Sequence, residues 1–194
     1  MDKKVKVLLV EDDNDFAYLV KYEITRDLRL LFLGHASNKA TGIEMSCALN
    51  PDIVIMDLYL VGSYNDGIEA AKEIRIKTEA KILFLTGFVD ADIMFEATKK
   101  AFASGYVFKS QMNNIADTIY NAATKNTPHK LEIIESVRKE LTPTEMLILS
   151  SLIEGNSSVL NYSSLKTITN HKTNIFKKLS LRNEKEVRHV FNNW

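Results

Sequence analysis

Six polar side chains at four places in the chain could share one reaction. Glu11-Asp12-Asp13 follows the apolar run Val5-Lys6-Val7-Leu8-Leu9-Val10, and Asp57 follows Ile53-Val54-Ile55-Met56. Thr86 follows Lys81-Ile82-Leu83-Phe84-Leu85, and Lys109 follows Gly105-Tyr106-Val107-Phe108. Carboxylates gathered at one point repel, which raises at least one pKa. A hard dication such as Mg²⁺ relieves that repulsion, accepting a few carboxylates and keeping water positions open for a phosphoryl oxygen. Asp57 would then be a carboxylate nucleophile able to form an aspartyl-phosphate. The Thr86 hydroxyl can donate to a transferred phosphoryl oxygen, and the Lys109 ammonium supplies positive charge. Phosphoryl transfer requires mainly positioning and charge neutralisation. Each residue alone is ordinary: Asp13 also suits a helix cap, and an aspartate after a strand is a common turn residue. Their order at four strand ends is what specifies a site.

Such a site needs elements that bring distant residues together. Short apolar, β-branched runs predict strands at residues 5–10, 28–33 (ending at Gly34), 53–56, 81–85 and 105–108. Helical spacing predicts a helix after each: one behind the cap Asp13, one from the cap Ser37 to Leu49, then residues 68–76, 90–102 and 112–123. Five strands alternating with helices imply an α/β fold, a doubly wound, five-stranded parallel sheet with helices on both faces. In such folds chemistry lies outside the carboxyl ends of the strands, where the six residues fall.

Those stretches, with Pro51-Asp52 before the third strand and Thr86-Gly87 after the fourth, resemble the receiver domain of two-component response regulators over residues 4–124. The resemblance implies a flavodoxin-like fold with Asp57 as phosphoacceptor. It implies Mg²⁺ held by Glu11, Asp12, Asp57 and the backbone carbonyl of Tyr59. Thr86 would be the switch hydroxyl, Lys109 the phosphate-contacting lysine, and Tyr106 the aromatic whose rotamer reports phosphorylation. The phosphodonor would be a histidine kinase or phosphotransfer protein. Two features depart from the family. Gly67 lies ten residues past Asp57 where the family has its glycine eight past, and Val61 replaces the customary proline. Ser110 replaces the proline after the lysine, so that peptide is expected trans, because cis costs about 2.5–4 kcal/mol without proline. Tyr59 and Phe88, each two residues beyond a key group, are expected to flank the pocket mouth and slow attack of water on the acyl-phosphate.

The last third is helical in pattern. Thr142-Pro143-Thr144-Glu145 reads as a capping box with proline at the first helical position, and Gly155 ends that helix. A long helix over residues 164–179, with Ile168, Ile175, Phe176 and Leu179 as its buried stripe, precedes a short one over 184–192. Leu141 to Glu145, Leu149 to Gly155, Thr167 to Leu179 and Arg182-Asn183 resemble the LuxR-type helix-turn-helix over residues 138–192. That resemblance implies a recognition helix in the major groove, its reading face lined by Lys166, Thr167, Thr169, Asn170, Lys172 and Thr173. Asn170 could pair bidentately with adenine, while Lys166 and Lys172 would meet phosphate. Between Gly155 and His171 the family has about four more residues. The shortfall falls at residues 156–163, too short and Ser/Asn-rich for a full supporting helix. His171 and His189 read as surface or packing residues, with no Cys or His at ligand spacing.

Composition bounds the rest. Of 194 residues 45% are hydrophobic, and seven Gly and three Pro exclude a disordered or collagen-like chain. The single Cys47 cannot form an internal disulfide, no apolar run spans a membrane, and Met1-Asp2-Lys3-Lys4 begins no signal peptide. A cytoplasmic protein is expected. The formal charge of zero conceals a split: −4 over residues 1–124, +1 over 125–140 and +3 over 141–194. These spans are read as a receiver domain, a partly helical linker and an output domain. The expected function is a phosphorylation-dependent, DNA-binding transcriptional regulator, not an enzyme. It would form homodimers through the receiver face or the C-terminal helix, since two modules sum phosphate contacts that one short helix cannot supply. The alternative is a receiver that presents its helical bundle to a protein partner. A haloacid dehalogenase-type phosphatase would need Thr or Val at the end of Asp13-Asn14-Asp15-Phe16-Ala17, which has Ala.

Overall fold

The computed structural model describes residues 3–60, 63–87, 90–125, 127–155 and 165–192. Val61, Phe88 and residues 156–163 lie outside the described residues, and with them the expectations for the loop proline position, half of the pocket mouth and the supporting helix. The chain forms two compact units, Met1–Leu131 and Glu132–Trp194.

In the first unit, β1 (Val5–Val10), α1 (Asn14–Arg26), β2 (Leu30–Ala36), α2 (Lys39–Leu49) and β3 (Ile53–Asp57) come first. Then follow α3 (Tyr64–Lys77), β4 (Lys81–Thr86), α4 (Ala91–Ala101), β5 (Gly105–Phe108), a 3₁₀ turn (Met112–Asn114) and α5 (Ile115–Thr124). The strands form one sheet in the order β2-β1-β3-β4-β5, every pairing parallel, as the alternating pattern predicts. Alternate strand residues feed two cores. Leu8, Val10, Val54, Met56, Ile82 and Phe84 pack with Ile74 of α3 and Met94 of α4. Val7, Leu9, Ile53, Ile55, Leu83 and Leu85 pack with Val20 of α1 and Ile119 of α5. Central strands covered on both faces have no polar face, which is why β3 is apolar until Asp57.

The larger departures from the predicted boundaries fall in β2, α2 and α3. β2 starts at Leu30 because the Asp27 carboxylate and carbonyl accept from the Arg29 and Leu30 amides, at 2.9 and 3.1 Å, and turn the chain with Leu28 exposed. The strand continues through Gly34 to Ala36, its pairing with β1 shifted between Val7 and Leu8. α2 is capped by Asn38 rather than Ser37, its Oδ1 accepting from the Thr41 amide at 3.0 Å. α3 starts at Tyr64, so Gly67 lies inside its first turns and not in a loop. A Cβ on Gly67 would stand 2.3 Å from the Asp57 carbonyl oxygen, so the missing side chain lets α3 close onto the end of β3. Leaving α5, the Thr127 hydroxyl donates to the Ser104 carbonyl, just before β5. The Lys81 ammonium donates to the Ala123 carbonyl at 2.7 Å, capping the end of α5.

Helix α6 (Pro128–Glu140) begins within the first unit and ends within the second, so most of the stretch read as a partly helical linker is helical. The second unit continues with α7 (Pro143–Glu154), α8 (Leu165–Leu179) and α9 (Glu184–Asn192) around buried Ile133, Val137, Ile148, Leu152, Ile168, Ile175, Val187 and Val190. The capping box forms: Thr142 Oγ1 accepts from the Glu145 amide at 3.2 Å, and Glu145 Oε2 accepts from the Thr142 amide at 2.8 Å. Gly155 ends α7 at φ 69°, a left-handed conformation that favours a residue without Cβ. Three cationic side chains join the helices. Lys178 donates to Glu145 Oε2 at 2.6 Å and to the Glu140 carbonyl at 3.0 Å. Lys172 donates to Glu184 Oε1 at 2.7 Å, and Arg188 Nε donates to the Leu152 carbonyl at 2.8 Å.

Candidate functional site

The carboxyl ends of β1, β3, β4 and β5 open into one pocket of about 390 Å³ lined by Glu11, Asp12, Asp13, Asp57, Tyr59, Thr86 and Lys109, with Gly87 beside them. All six residues that the strand-end pattern singled out therefore meet. Glu11 and Asp57 are buried, at 0% and 4% exposure, whereas Asp12 is exposed. Lys109 Nζ donates to Glu11 Oε1 at 2.8 Å and to Asp57 Oδ2 at 2.9 Å. The second Asp57 oxygen accepts from the Tyr59 amide at 3.1 Å, which fixes the carboxylate plane. Around Glu11, the Asp13 amide donates to Oε1 at 3.2 Å and the His35 imidazole meets the backbone carbonyl at 2.6 Å. Lys109 itself is seated by its amide, which donates to the Thr86 carbonyl at 2.7 Å.

The electrostatics are strained in the direction a cation would relieve. Burial, reinforced by the charge of Asp57 and opposed by the Lys109 hydrogen bond, pushes Glu11 up to about 7. Burial lowers the Lys109 ammonium, but its hydrogen bonds to Glu11 and Asp57 outweigh it and hold the group above its ordinary value. Glu11 Oε2, although 2.8 Å from Lys109 Nζ, is buried without a hydrogen-bond partner. One ligand oxygen each from Glu11, Asp12 and Asp57 lies within 4.8 Å of the others. A buried oxygen paired by charge but by no hydrogen bond, within a set of hard oxygen donors, suits a dication such as Mg²⁺.

Tyr106 lies one pleat repeat behind Thr86. Their cross-strand partners are Phe84 with Tyr106 and Thr86 with Phe108, so both side chains belong to the same face of the sheet. Tyr106 is half-buried against the first core and edge-on to Phe108, with ring centroids 5.5 Å apart. Tyr59 is exposed at the pocket mouth. The Lys109–Ser110 bond is trans, as expected without proline.

On α8, Lys166, Thr167, Thr169, Asn170 and Thr173 are exposed, while Ile168, Ile175 and Leu179 are buried. Lys172 must be corrected: it points back into the unit, where Glu184 holds it. At 3.6 residues per turn it falls beside the Ile168–Ile175 stripe rather than opposite it. Asn174 and Lys177, which were not predicted, are exposed instead. Continuing the i, i+4, i+7 series from Asn170 reaches both, so the signal was present in the spacing.

The profile of the response regulator receiver domain matches residues 7–120. The chain belongs to the response regulator family. This response regulator is 30% identical to the transcriptional regulatory protein LiaR of Bacillus subtilis, over 91% of this chain and 92% of that protein. It is 26% identical to the oxygen regulatory protein NreC of Staphylococcus carnosus, over 71% and 73%. Among solved structures, a LuxR-family response regulator from Aurantimonas sp. SI85-9A1 matches with TM-score 0.55 and 27% identity, covering 71% of this chain and 99% of that one. A response regulator RcsB–DNA complex matches with TM-score 0.56, covering 98% and 99%; at 22% identity this likeness speaks for the fold alone. The match to LiaR covers more of the chain than the receiver profile does and so extends into the second unit. No described helix is long and apolar enough to cross a membrane.

Proposed function

We propose that Asp57 accepts a phosphoryl group from a phosphohistidine of a kinase or phosphotransfer protein, and that the output unit then binds DNA as a transcriptional regulator rather than an enzyme. The observation that carries this reading is the Lys109 ammonium held between the Glu11 and Asp57 carboxylates, 2.8 and 2.9 Å from each, in the pocket that Thr86 lines. An Asp57 oxygen attacks phosphorus, the P–N bond breaks, and the electron pair leaves with the imidazole, which takes a proton. Lys109 offsets charge on the phosphoryl oxygens, and the Thr86 hydroxyl donates to one of them. Glu11, Asp12, Asp57 and the Tyr59 carbonyl would hold Mg²⁺, which when bound neutralises charge on the phosphoryl group. Drawing Thr86 toward the phosphoryl group vacates space on the face it shares with Tyr106, whose ring turns inward and alters the surface around α4, β5 and α5. Tyr59 at the mouth restricts water and lengthens the life of the acyl-phosphate.

In the output unit, Lys166, Thr167, Thr169, Asn170 and Thr173, with Asn174 and Lys177, form the face presented to the major groove. The likeness to the transcriptional regulator LiaR supports this reading. Two copies, joined through the receiver face or the C-terminal helix, are needed to gather enough phosphate contacts. One observation favours the alternative of a protein-binding output: Glu184 holds Lys172 away from that face and so reduces its charge. Acetyl phosphate with Mg²⁺ is expected to label wild type and leave Asp57→Asn unlabelled. Phosphorylated protein is expected to shift specific genomic fragments at about 0.1 M salt, low enough that counterion release still favours binding. An unlabelled wild type refutes the phosphoacceptor; labelling without a specific shift selects the protein-binding alternative.

A further inference from the structure

We infer that Phe16 is a positioning residue for Lys109, its ring holding the ammonium beside the phosphoacceptor by cation–π attraction; the inference rests on the reading of Asp57 as that acceptor. A lysine ammonium has three N–H bonds. Nζ donates to two carboxylates: Glu11, both of whose oxygens stand 2.8 Å away, and Asp57, through Oδ2 at 2.9 Å. The same Nζ lies 4.6 Å from the centroid of the Phe16 ring, inside the roughly 6 Å range of cation–π attraction. The ring is fixed independently of the lysine. Phe16 sits in the first turn of α1, where Asp13 Oδ1 accepts from the amides of Asp15 at 2.9 Å and Phe16 at 3.0 Å. Its side chain packs against the core on the α1 and α5 face of the sheet. A capped helix start thus delivers the ring, and the end of β5 delivers the cation.

The charge balance of the pocket explains why a ring suits this place. Glu11, Asp12 and Asp57 already outnumber one ammonium. A further carboxylate against Lys109 would cancel the charge that an arriving phosphoryl oxygen must meet. A π face attracts the cation without neutralising it, and it keeps water from that side of Nζ. The ammonium stays in place with its charge intact.

Phe16→Leu removes the π face and keeps apolar bulk, whereas Phe16→Tyr keeps the face. With acetyl phosphate and Mg²⁺, the initial labelling rate of Phe16→Leu is expected to fall about three- to tenfold, and that of Phe16→Tyr to stay within about twofold of wild type. In proton NMR, the ring current places the Lys109 side-chain resonances upfield in wild type and Phe16→Tyr, and Phe16→Leu moves them downfield. Wild-type labelling by Phe16→Leu, equal losses in both variants, or unmoved Lys109 resonances would each overturn the inference. An unlabelled wild type defeats the phosphoacceptor reading instead, and the Lys109 resonances then still show whether the ring holds the ammonium.

Discussion

At the strand ends of the receiver unit the decisive charges are buried and joined to one another; along α8 of the output unit they are exposed and strung out. Lys109 serves two carboxylates at once, each almost without solvent. On the output unit Lys172 and Lys178 are held by Glu184 and Glu145, and Lys166 and Lys177 remain on the exposed face of α8. A buried cluster loses its function when one member goes, because the remaining charges have no solvent to turn to. Exposed cations act additively, each releasing its own counterions from DNA. The receiver is therefore expected to be brittle toward single substitutions, and the output graded.

Lys109→Met breaks the comparison if it does little. Removing the pocket's cation should lower the rate of labelling by acetyl phosphate about 100-fold, the loss typical of deleting one preorganised group that meets developing charge. A next, smaller effect concerns the backbone below the site. Gly67→Ala forces a Cβ against the Asp57 carbonyl, and overpacking of that kind costs about 1–3 kcal/mol. It should appear as a lower urea midpoint for the receiver transition, with the output transition unmoved.

Two lysines on one helix sharpen the output side. Lys177→Ala should reduce the slope of log K against log salt for DNA binding by about 0.9, the share of one phosphate contact. Lys172→Ala should leave that slope unchanged and lower the thermal midpoint of the output unit, since it removes a tie between α8 and α9. Equal slopes for both variants would contradict the placement of the reading face.

The smallest effect is a pH dependence. Burial raises the Glu145 carboxyl, but hydrogen bonds from Lys178 and Thr142 prevail and hold it below its ordinary value. Its folded-state value is thus the lower one. The stabilisation is complete above the unfolded value and disappears as pH falls through the folded one. Glu145→Gln should flatten the stability of the output unit between about pH 5 and pH 3 in denaturant titrations.

Much of this was readable from one sequence because the informative residues terminate apolar strands. A parallel sheet sends every strand's carboxyl end to the same edge, so Glu11, Asp57, Thr86 and Lys109 needed only the strand pattern to be placed together. What required coordinates depended on angles and close approaches. The glycine at 67 looked like a loop residue, since closeness of a helix to a strand end leaves no periodic trace. The cation at 172 looked available because its partner, Glu184, belongs to another helix. Phe16 read as one more apolar position of α1, and nothing in its spacing reveals the ammonium arriving from β5.

The hydroxyl of Thr127 sits on the last residue before α6 and is bonded to the carbonyl of Ser104, two residues ahead of Tyr106. The chain is thus tied back to the start of β5 just before α6 begins. A rearrangement that displaces Ser104 therefore pulls on the residue from which the first turn of α6 departs.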